Sequence, residues 1–502
     1  MKRLLRLSIC FFLTGACLSS DGDGPLPRSF PESQRVSSAA LLELVEALDQ
    51  EIEGMHSLMI VRHGHVIAEG WWKPYGSEHN HVLYSLSKGF TSTAVGFAVA
   101  EGLVSIDDEV LRFFPDEAPA DAGANLKAMR VRDILTMTTG HQDEPPADPD
   151  VVSAKSFLAQ PVPHLPGTHF KYNTPATFMQ SAIVQKVTGQ TVFEYLGPRL
   201  FEPLGIDSPL WETNIEGISL GGYGLRVRTE DIAKFGLLYL RHGKWGRKQL
   251  LPTGWAELAT SRQVSNGSNP SSDWNQGYGF QFWRCRHNAY RADGAFGQYC
   301  VVMPEQDIVV AITSGVRDMQ AVLNVLWDKL LPACQSKRLR ANRAAHQRLV
   351  GKLANLELGP AQGAESSTVA ERVFGRQYVF PANEDKLESL SLASEPGGNG
   401  LTLKIRLDGS RMVIPCGYRQ WKPGGPPVSV GAGRLRLFSD EPAAATYAWQ
   451  PEDTVAIKLC AYETPFNMTL KLKFDGDEVT LDSEPNVAFR RSPDPQLIGR
   501  AE

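Results

Sequence analysis

The stretch that decides the fold is "HVLYSLSKGFTSTAVGFAVAEGLVSIDDEV", residues 81–110. The spacing of its apolar residues predicts a helix over residues 86–101 that ends at Gly102. Ser85 stands at the start of this helix and Lys88 follows three residues later, so the two side chains share one face. The pair is either a helix cap beside a solvated amine or a nucleophile beside its base.

The chemical interpretation makes demands that this stretch can meet. A serine hydroxyl is a weak nucleophile until a base removes its proton. A lysine serves as that base only when burial or a neighbouring cation lowers its pKa, and the apolar residues Leu83, Leu86 and Phe90 predict burial. At a helix start the backbone N–H of Ser85 is unpaired and could face a developing oxyanion. Taken alone, however, Ser-x-x-Lys recurs by chance and favours the structural interpretation.

Further stretches change that balance. They are "VRDILTMTTGH" (131–141), "PGTHFKYNTPATFMQ" (166–180), which places Tyr172 in a loop before a helix, "GGYGLRVRTEDIAKFGLLYL" (221–240) and the Gly-rich strand start "AYRADGAFGQYC" (289–300). With the first stretch, and in this order, they resemble the serine β-lactamase-like hydrolases. That group includes class C β-lactamases, D,D-peptidases, esterases and 6-aminohexanoate-oligomer hydrolases. The resemblance covers roughly residues 38–333.

The resemblance implies a role for each matching residue. Ser85 would be the acyl-accepting nucleophile, and Lys88 would be its base or would share the proton with Tyr172. Tyr172 would protonate the leaving group and later help to activate water, and a nearby cation could lower its pKa enough to make the phenolate a base. The oxyanion would lie between the backbone N–H groups of Ser85 and Ala295, each such donor being worth about 3 kcal/mol. The residues expected to contact substrate are Thr174, Gly294 and Gln298.

Two motifs depart from those of the penicillin-interacting members. Tyr172-Asn173-Thr174 replaces the usual Tyr-x-Asn, and Ala292-Asp293-Gly294 replaces Lys-Thr-Gly. A lysine in the second motif attracts the carboxylate of penicillins and peptides, so its absence predicts poor β-lactam turnover and a preference for neutral or cationic substrates. Asp293 would repel anions if it faces the cleft. Arg291 or Arg226 would restore the attraction if either reaches the same place.

The pattern along the chain predicts an α+β fold with one antiparallel sheet assembled from both ends of a domain. Strand patterns lie at 56–72, 277–283, 297–302 and 308–313, and helical patterns at 178–196, 229–243 and 319–331. This β-lactamase/transpeptidase-like domain is predicted over residues 37–334. A helix and linker (335–370) and an all-β barrel or sandwich (371–490), which contributes no catalytic residue, are predicted to follow.

Composition excludes several classes of function. The net charge of -5 gives no basis for binding nucleic acid or an anionic membrane surface. The cysteines lack the spacing of metal ligands, so neither a metal nor another cofactor is predicted. Cys285 with Cys300, or Cys416 with Cys460, could pair in an exported protein, whereas buried free thiols fit the pattern equally well.

The first twenty residues differ from the rest of the chain. Basic "MKRLLR" precedes the short apolar run "LSICFFLTGACL", which is the pattern of a secretory signal. Residues 1–20 therefore predict a periplasmic or secreted protein, and no other apolar run is long enough to span a membrane. A lipid anchor at Cys17 is a minor alternative, because the leucine before it stands one position too far away. The pattern predicts no oligomeric state.

Three functions remain open at this level. The first is an exported serine hydrolase that cleaves small esters or amides through an acyl-enzyme intermediate. The second is a β-lactamase or D,D-peptidase, against which the two altered motifs weigh. The third is a non-catalytic binding protein on the same fold, against which the intact Ser85, Lys88 and Tyr172 weigh. His141 could contact substrate or hold its loop, and the β domain could add substrate specificity or dimer contacts.

Overall fold

The computed structural model describes residues 24–395, 400–424, 441–489 and 496–502. The predicted signal segment, residues 1–20, and with it Cys17, lies outside the described residues. Among the described residues, no helix is both long and apolar enough to cross a membrane.

The first domain is built around an antiparallel sheet. The strands of this domain are β1 (Met55–Arg62), β2 (His65–Trp71), β3 (His81–Val82), β4 (Leu210–Trp211), β5 (Leu225–Val227), β6 (Lys244–Trp245), β7 (Lys248–Gln249), β8 (Trp283–Arg284), β9 (Tyr290–Gly294), β10 (Gln298–Met303) and β11 (Ile308–Ser314). Strands β3, β5 and β4 form a small separate sheet, and β6 and β7 form another. The central sheet has the order β2-β1-β11-β10-β9-β8. A strand from the start of the domain therefore pairs with one from its end, with Met59 opposite Ala311. This confirms the predicted α+β class and its sheet.

Helices cover both faces of this sheet. They are α1 (Ser38–Glu51), α2 (Ser87–Ala100), α3 (Ala124–Ala128), α4 (Val131–Leu135), α5 (Ala154–Leu158), α6 (Thr174–Thr188), α7 (Val192–Leu196), α8 (Glu202–Leu204), α9 (Thr229–Leu240), α10 (Trp255–Thr260), α11 (Met319–Val325) and α12 (Leu331–Ala333). Alternate residues of β1 enter different cores. Met59 joins the core that contains Phe90 of α2 and Phe235 of α9, whereas Leu58 joins the core that contains Leu44 of α1.

The local differences from the sequence prediction have simple causes. The helix predicted over residues 178–196 divides into α6 and α7, because Gly189 adopts a left-handed φ of 72° that ends α6. Thr191 then begins a new helix by accepting a hydrogen bond from the Glu194 backbone. The strand predicted over 277–283 is reduced to β8. The predicted charged helix after residue 335 begins only at Arg343, in α13 (Arg343–Ala354).

The C-terminal domain is a β-barrel. After α14 (Ala370–Val373), its strands are β12 (Gln377–Val379), β13 (Leu387–Ser394), β14 (Gly400–Leu407), β15 (Ser410–Tyr418), β16 (Lys422–Gly424), β17 (Ala443–Gln450), β18 (Thr454–Ala461), β19 (Asn467–Asp475), β20 (Glu478–Pro485) and β21 (Leu497–Ala501). Neighbours are antiparallel in the order β15-β14-β13-β12-β21-β20-β19-β18-β17-β16, and a parallel pairing of β15 with β17 closes the sheet. The barrel alternative is therefore the correct one, and β21 extends the barrel beyond the predicted end at residue 490.

The cysteines of the described residues are free thiols, so the two disulfides that the sequence left open are not formed. Cys285 accepts a hydrogen bond from Arg291 at 3.1 Å, whereas the thiol of Cys300 lies 3.5 Å from the carbonyl of Ile232. Each thiol therefore contacts a different part of the core. Cys416 and Cys460 are buried within the barrel domain, where they act as small apolar side chains.

The barrel is docked against the strand that leads to Ser85. The backbone N–H of Val82 donates to the carbonyl of Glu463 at 3.0 Å, and the hydroxyl of Tyr75 donates to the carbonyl of Thr464 at 2.9 Å. Two buried histidines lie at this contact. His56 stacks on Tyr75, and its Nδ1 is 3.2 Å from Nε2 of His81. Burial lowers the pKa of His56 well below 6.5 and that of His81 to about 4.

The two histidines should make stability depend on pH. Their folded-state pKa values lie below the unfolded value of 6.5, so the unfolded chain binds protons first as the pH falls. The contribution of these histidines to the free energy of unfolding should be fully present above pH 6.5 and should decline between pH 6.5 and 4. His81 alone should lower the free energy of unfolding by roughly 3 kcal/mol over this range. Urea unfolding of the whole chain at pH 7 and pH 5 measures this. His81→Gln should flatten the decline, whereas His287→Asn, at an exposed position, should leave it unchanged.

Candidate active site

Ser85 is held in a short turn between β3 and α2. Residues Tyr84–Leu86 form one 3₁₀ turn that runs directly into α2, and Tyr84 adopts a φ of 47° in the left-handed region. Such a conformation is uncommon for a residue with a side chain and is found where the surroundings enforce it. Ser85 itself is partly exposed, whereas Leu86 is buried. The turn therefore leaves Ser85 partly accessible, whereas the residue that follows it is buried.

The end of β9 lies against this turn. A Cβ atom on Gly294 would stand 2.0 Å from the carbonyl oxygen of Leu83 and 3.1 Å from the backbone nitrogen of Ser85. Only glycine permits this approach of two backbones. Ala295 follows in the tight connection to β10 and is partly exposed. The two predicted oxyanion donors, the N–H groups of Ser85 and Ala295, thus belong to backbone segments in contact with each other.

Lys88 lies under Ser85 and is almost completely buried, with 1% of its surface exposed. Its Nζ is 3.3 Å from Ser85 Oγ and 2.7 Å from the carbonyl oxygen of Gly222. Burial lowers the pKa of Lys88 to about 7, against the opposing influence of the Glu144 and Asp293 carboxylates. A neutral amine beside the hydroxyl is therefore accessible near neutral pH, which is what a general base requires.

Tyr172 completes the group from the opposite side. Its ring stacks on that of Trp283, with 5.5 Å between the two centroids, and its centroid is 5.2 Å from Lys88 Nζ. Burial, assisted by the charge of Asp293, raises the pKa of the phenol above its usual value of 10.0. The expectation that a cation would make Tyr172 a phenolate base is therefore wrong. The amine of Lys88 therefore loses its proton more readily than the phenol of Tyr172.

The two other predicted substrate contacts have different outcomes. Thr174 begins α6 and lies beside Gly222, since its Cγ2 would be 2.7 Å from a Cβ there. Gln298, in contrast, is fully buried, and its amide donates to the carbonyls of Ala295 and Ser314 at 2.9 and 2.7 Å. Its oxygen accepts from the Ser314 backbone. Gln298 therefore supports the connection that carries Ala295 and does not face the cleft.

Asp293 does not act as a free negative charge. Its carboxylate accepts a hydrogen bond of 2.8 Å from Nε of Arg291, and both side chains are buried. The guanidinium of Arg291 also lies 4.3 Å from the ring of Trp274, inside the protein. Asp293 is therefore buried and paired. The condition for repelling anions, a carboxylate that faces the cleft, is not met. Arg291 does not replace the missing lysine either.

The two other positions at which a cation could bind a substrate carboxylate, Ala292 and Arg226, do not provide a free positive charge. Ala292 points into the core, where its Cβ would lie 3.4 Å from a Cβ on Gly89, so its position does not face the cleft. Arg226 forms a two-bond ion pair with Glu441 of the barrel, at 2.8 and 2.5 Å. From the sequence, either Arg291 or Arg226 could have taken the place of the motif lysine. The structure pairs each of them with a carboxylate.

Sequence reasoning missed two contributors. Gly222 holds Lys88 through its carbonyl, and although its stretch "GGYG" was recognised, a backbone acceptor has no side-chain signal. Glu144, in an exposed loop, accepts a hydrogen bond of 2.7 Å from the Thr174 backbone and acts electrostatically on Lys88. His141 is buried and bonds Thr139 at 2.8 Å, consistent with a loop-holding residue. No cluster of His, Cys, Asp or Glu in the described residues is arranged to hold a metal ion.

A serine hydroxyl, a buried amine and a phenol therefore lie close to two backbone segments that contact each other, and such groups are the ones that acyl transfer uses. The family described as Beta-lactamase matches residues 41–325 through its model. This region is more than half of the chain, so the chain belongs to the β-lactamase family of hydrolases. The sequence resemblance to the serine β-lactamase-like hydrolases is thereby confirmed.

Individual proteins support the same assignment. The 6-aminohexanoate-dimer hydrolase of Paenarthrobacter ureafaciens is 23% identical over 57% of this chain and 80% of its own length. A protein of Escherichia coli K12 named "Putative D-alanyl-D-alanine carboxypeptidase" is 23% identical over 43% of this chain, which spans only 57% of that protein. The solved structure "Putative 6-aminohexanoate-dimer hydrolase from Bacillus anthracis" is 18% identical. It has a TM-score of 0.51 and covers 62% of this chain and 88% of that one, which shows a common fold.

The pKa of Lys88 predicts a pH profile. For a neutral ester, kcat/KM should rise with pH through an apparent pKa near 7, because only the neutral amine accepts the proton of Ser85. Glu144→Gln should move this rise to lower pH by roughly half a unit, since the carboxylate stabilises the charged lysine. The neighbouring exposed Asp143→Asn is the matched control and should not move it. Equal shifts in both variants would contradict a specific effect of the Glu144 carboxylate on Lys88.

Proposed function

We propose that this protein is an exported serine hydrolase that cleaves small esters or amides through an acyl-enzyme intermediate on Ser85. The observation that carries this proposal is the 3.3 Å contact between Ser85 Oγ and the buried Nζ of Lys88, whose pKa is about 7. A capping serine beside a solvated lysine would not require the amine to be buried and desolvated. Burial of an amine is costly and is typical of a functional site.

The mechanism follows from the positions of the groups. Neutral Lys88 accepts the proton of Ser85 as Oγ bonds to the substrate carbonyl carbon, and the oxyanion lies between the N–H groups of Ser85 and Ala295. The phenol of Tyr172 protonates the departing alcohol or amine and is reprotonated by Lys88. Water then attacks the acyl-enzyme and gives up a proton to Lys88, which passes it to Ser85 Oγ as the bond between Oγ and the acyl carbon breaks and the acid is released. The sum is one substrate and one water converted to an acid and an alcohol or amine.

Substrates without a carboxylate near the reacting bond fit this site best. The position of the usual motif lysine is Ala292, and both Arg291 and Arg226 are paired with carboxylates. A carboxylate-bearing substrate would have to compete for these paired charges and lose its own hydration. This weighs against the β-lactamase or D,D-peptidase alternative. The non-catalytic alternative is disfavoured by the contacts among Ser85, Lys88 and Tyr172.

Export rests on a separate observation. The basic and apolar pattern of residues 1–20 supports a secretory signal, and a periplasmic or secreted location is proposed on that basis. Residues 41–325, which match the family, do not bear on this part of the proposal.

A fluorophosphonate probe tests the nucleophile. The whole chain should take up one label, on Ser85, because the activated hydroxyl attacks the phosphorus atom of the probe as it would attack a substrate carbonyl. Ser85→Ala should abolish the labelling. Ser87→Ala is the matched control, since Ser87 is two residues away but buried, and it should keep the label. Peptide mapping by mass spectrometry identifies the site. A label on another serine, or active protein without a label, would refute the mechanism.

The base and the acid should act as a unit. Lys88→Ala and Tyr172→Phe should each lower kcat/KM for ester hydrolysis by at least about 10²-fold, the usual size of a general acid–base contribution. The kcat/KM of the double variant should be only slightly lower than that of the less active single variant. Thermal unfolding of each variant checks that the fold is intact. Losses that simply multiply in the double variant would show that Lys88 and Tyr172 act independently.

A matched pair of substrates tests the charge preference. One p-nitrophenyl ester carries an acyl chain that ends in a carboxylate, and the other carries its methyl-ester analogue. The neutral member should have a kcat/KM about tenfold higher or more, because no motif lysine offsets the desolvation of the carboxylate. Preference for the charged member would instead support the penicillin-interacting alternative.

A further inference from the structure

Four aromatic rings from both domains meet at the edge of the candidate active site. Tyr84 and Phe296 belong to the first domain, and Phe466 and Phe489 belong to the C-terminal domain; we call these four residues the aromatic patch. The ring centroids of Phe489 lie 5.4 Å from Tyr84 and 4.7 Å from Phe296. Phe466 lies 5.8 Å from Phe296 and 6.5 Å from Tyr84. Edge-to-face and tilted contacts of this kind are favourable between aromatic rings.

The aromatic patch borders both predicted oxyanion donors. Tyr84 immediately precedes Ser85, and Phe296 immediately follows Ala295. Both residues have positive φ angles, 47° and 65°, so their side chains are directed by unusual backbone conformations. The rings contributed by the barrel contact these two residues. A group attached to the carbonyl carbon at Ser85 would therefore lie beside apolar surface from the C-terminal domain.

The barrel rings are held in place by specific contacts with the first domain. Asn486 donates through Nδ2 to the carbonyls of Gly315 at 3.0 Å and Pro465 at 2.9 Å. Arg317 donates through Nε to the carbonyl of Asn486 at 2.6 Å. These bonds connect the end of β20 to the end of β11 and lie three residues before Phe489. The position of Phe489 against Tyr84 and Phe296 is thus a consequence of domain docking.

Exposure and charge together suggest what the patch contacts. Phe489 has 66% of its surface exposed, although it stands beside three other aromatic rings. Tyr84, Phe296 and Phe466 are only partly buried. The nearby Arg226 is paired with Glu441 and is therefore not free to bind a negatively charged group. Partly exposed aromatic surface beside a reacting centre is suited to an uncharged apolar group.

The position also distinguishes the acyl group of a substrate from its leaving group. The leaving group must approach Tyr172, which supplies its proton and packs against Trp283. The rings of the aromatic patch contact one another and flank the oxyanion donors instead. We propose that the aromatic patch binds the acyl group of the substrate and that this group is apolar, preferably aromatic. This inference rests on the proposed function at Ser85 and makes Phe466 and Phe489 specificity-determining residues supplied by the barrel.

The test compares p-nitrophenyl phenylacetate with p-nitrophenyl acetate, which share a leaving group. The whole chain should favour phenylacetate in kcat/KM. Phe489→Ala should lower the ratio of the two values about tenfold, as expected for lost contact with an apolar group. Phe466→Ala should lower it similarly, and Phe489→Leu should restore part of it. Ile498→Ala removes a similarly exposed apolar side chain elsewhere on the barrel and should leave the ratio unchanged.

A second pair, methyl acetate and benzyl acetate, varies only the leaving group and should keep its ratio in every variant. An unchanged phenylacetate ratio in Phe489→Ala would overturn the inference, as would a change confined to the benzyl pair. Since Phe489 is largely exposed, its truncation should leave the fold intact even if Phe466→Ala does not fold. Absence of both acetate hydrolysis and Ser85 labelling would instead refute the proposed function, so the two failures are distinguishable.

Discussion

Burial of the Lys88 amine is the constraint on which the rest of the candidate site depends. An ammonium group is poorly tolerated away from water, and this cost lowers the pKa of Lys88 to about 7. The amine keeps a single strong backbone partner, the carbonyl of Gly222, and turns towards Ser85. Two carboxylates limit the decrease, because Glu144 and Asp293 both favour the charged form. The balance leaves the amine able to exchange a proton near neutral pH.

A second constraint is the close approach of backbones around Ser85. The carbonyl of Leu83 occupies the space that a side chain on Gly294 would need, and Tyr84 adopts a left-handed conformation in the same turn. The buried Gln298 supports the facing connection through the carbonyls of Ala295 and Ser314. Gln298 therefore supports the connection that carries Ala295, and its amide is used within the protein. Rigid support of this kind is what preorganised electrostatic stabilisation requires.

The C-terminal barrel changes the interpretation of the domain organisation. Its strands carry none of the three central residues, as the sequence predicted, but it contacts the catalytic domain where β3 leads to Ser85. It pairs Glu441 with Arg226 and bonds Asn486 to Gly315. These contacts pair one potential anion-binding cation, and they bring Phe466 and Phe489 against Tyr84 and Phe296. The two domains are therefore coupled at the site, even though each has its own hydrophobic core.

Three features could be predicted from the sequence alone. They are the α+β class, the sheet formed from both ends of the domain, and the helix that places Lys88 one turn after Ser85. These features follow from local periodicity and from residues three apart on a helix. The tertiary structure was needed to show that burial raises the pKa of Tyr172, that Asp293 is paired with Arg291, that Ala292 is buried and that the barrel contacts the strand that leads to Ser85. Desolvation and ion pairing depend on residues distant in the chain, and the direction of a strand side chain depends on what covers each face. No local pattern encodes those contacts.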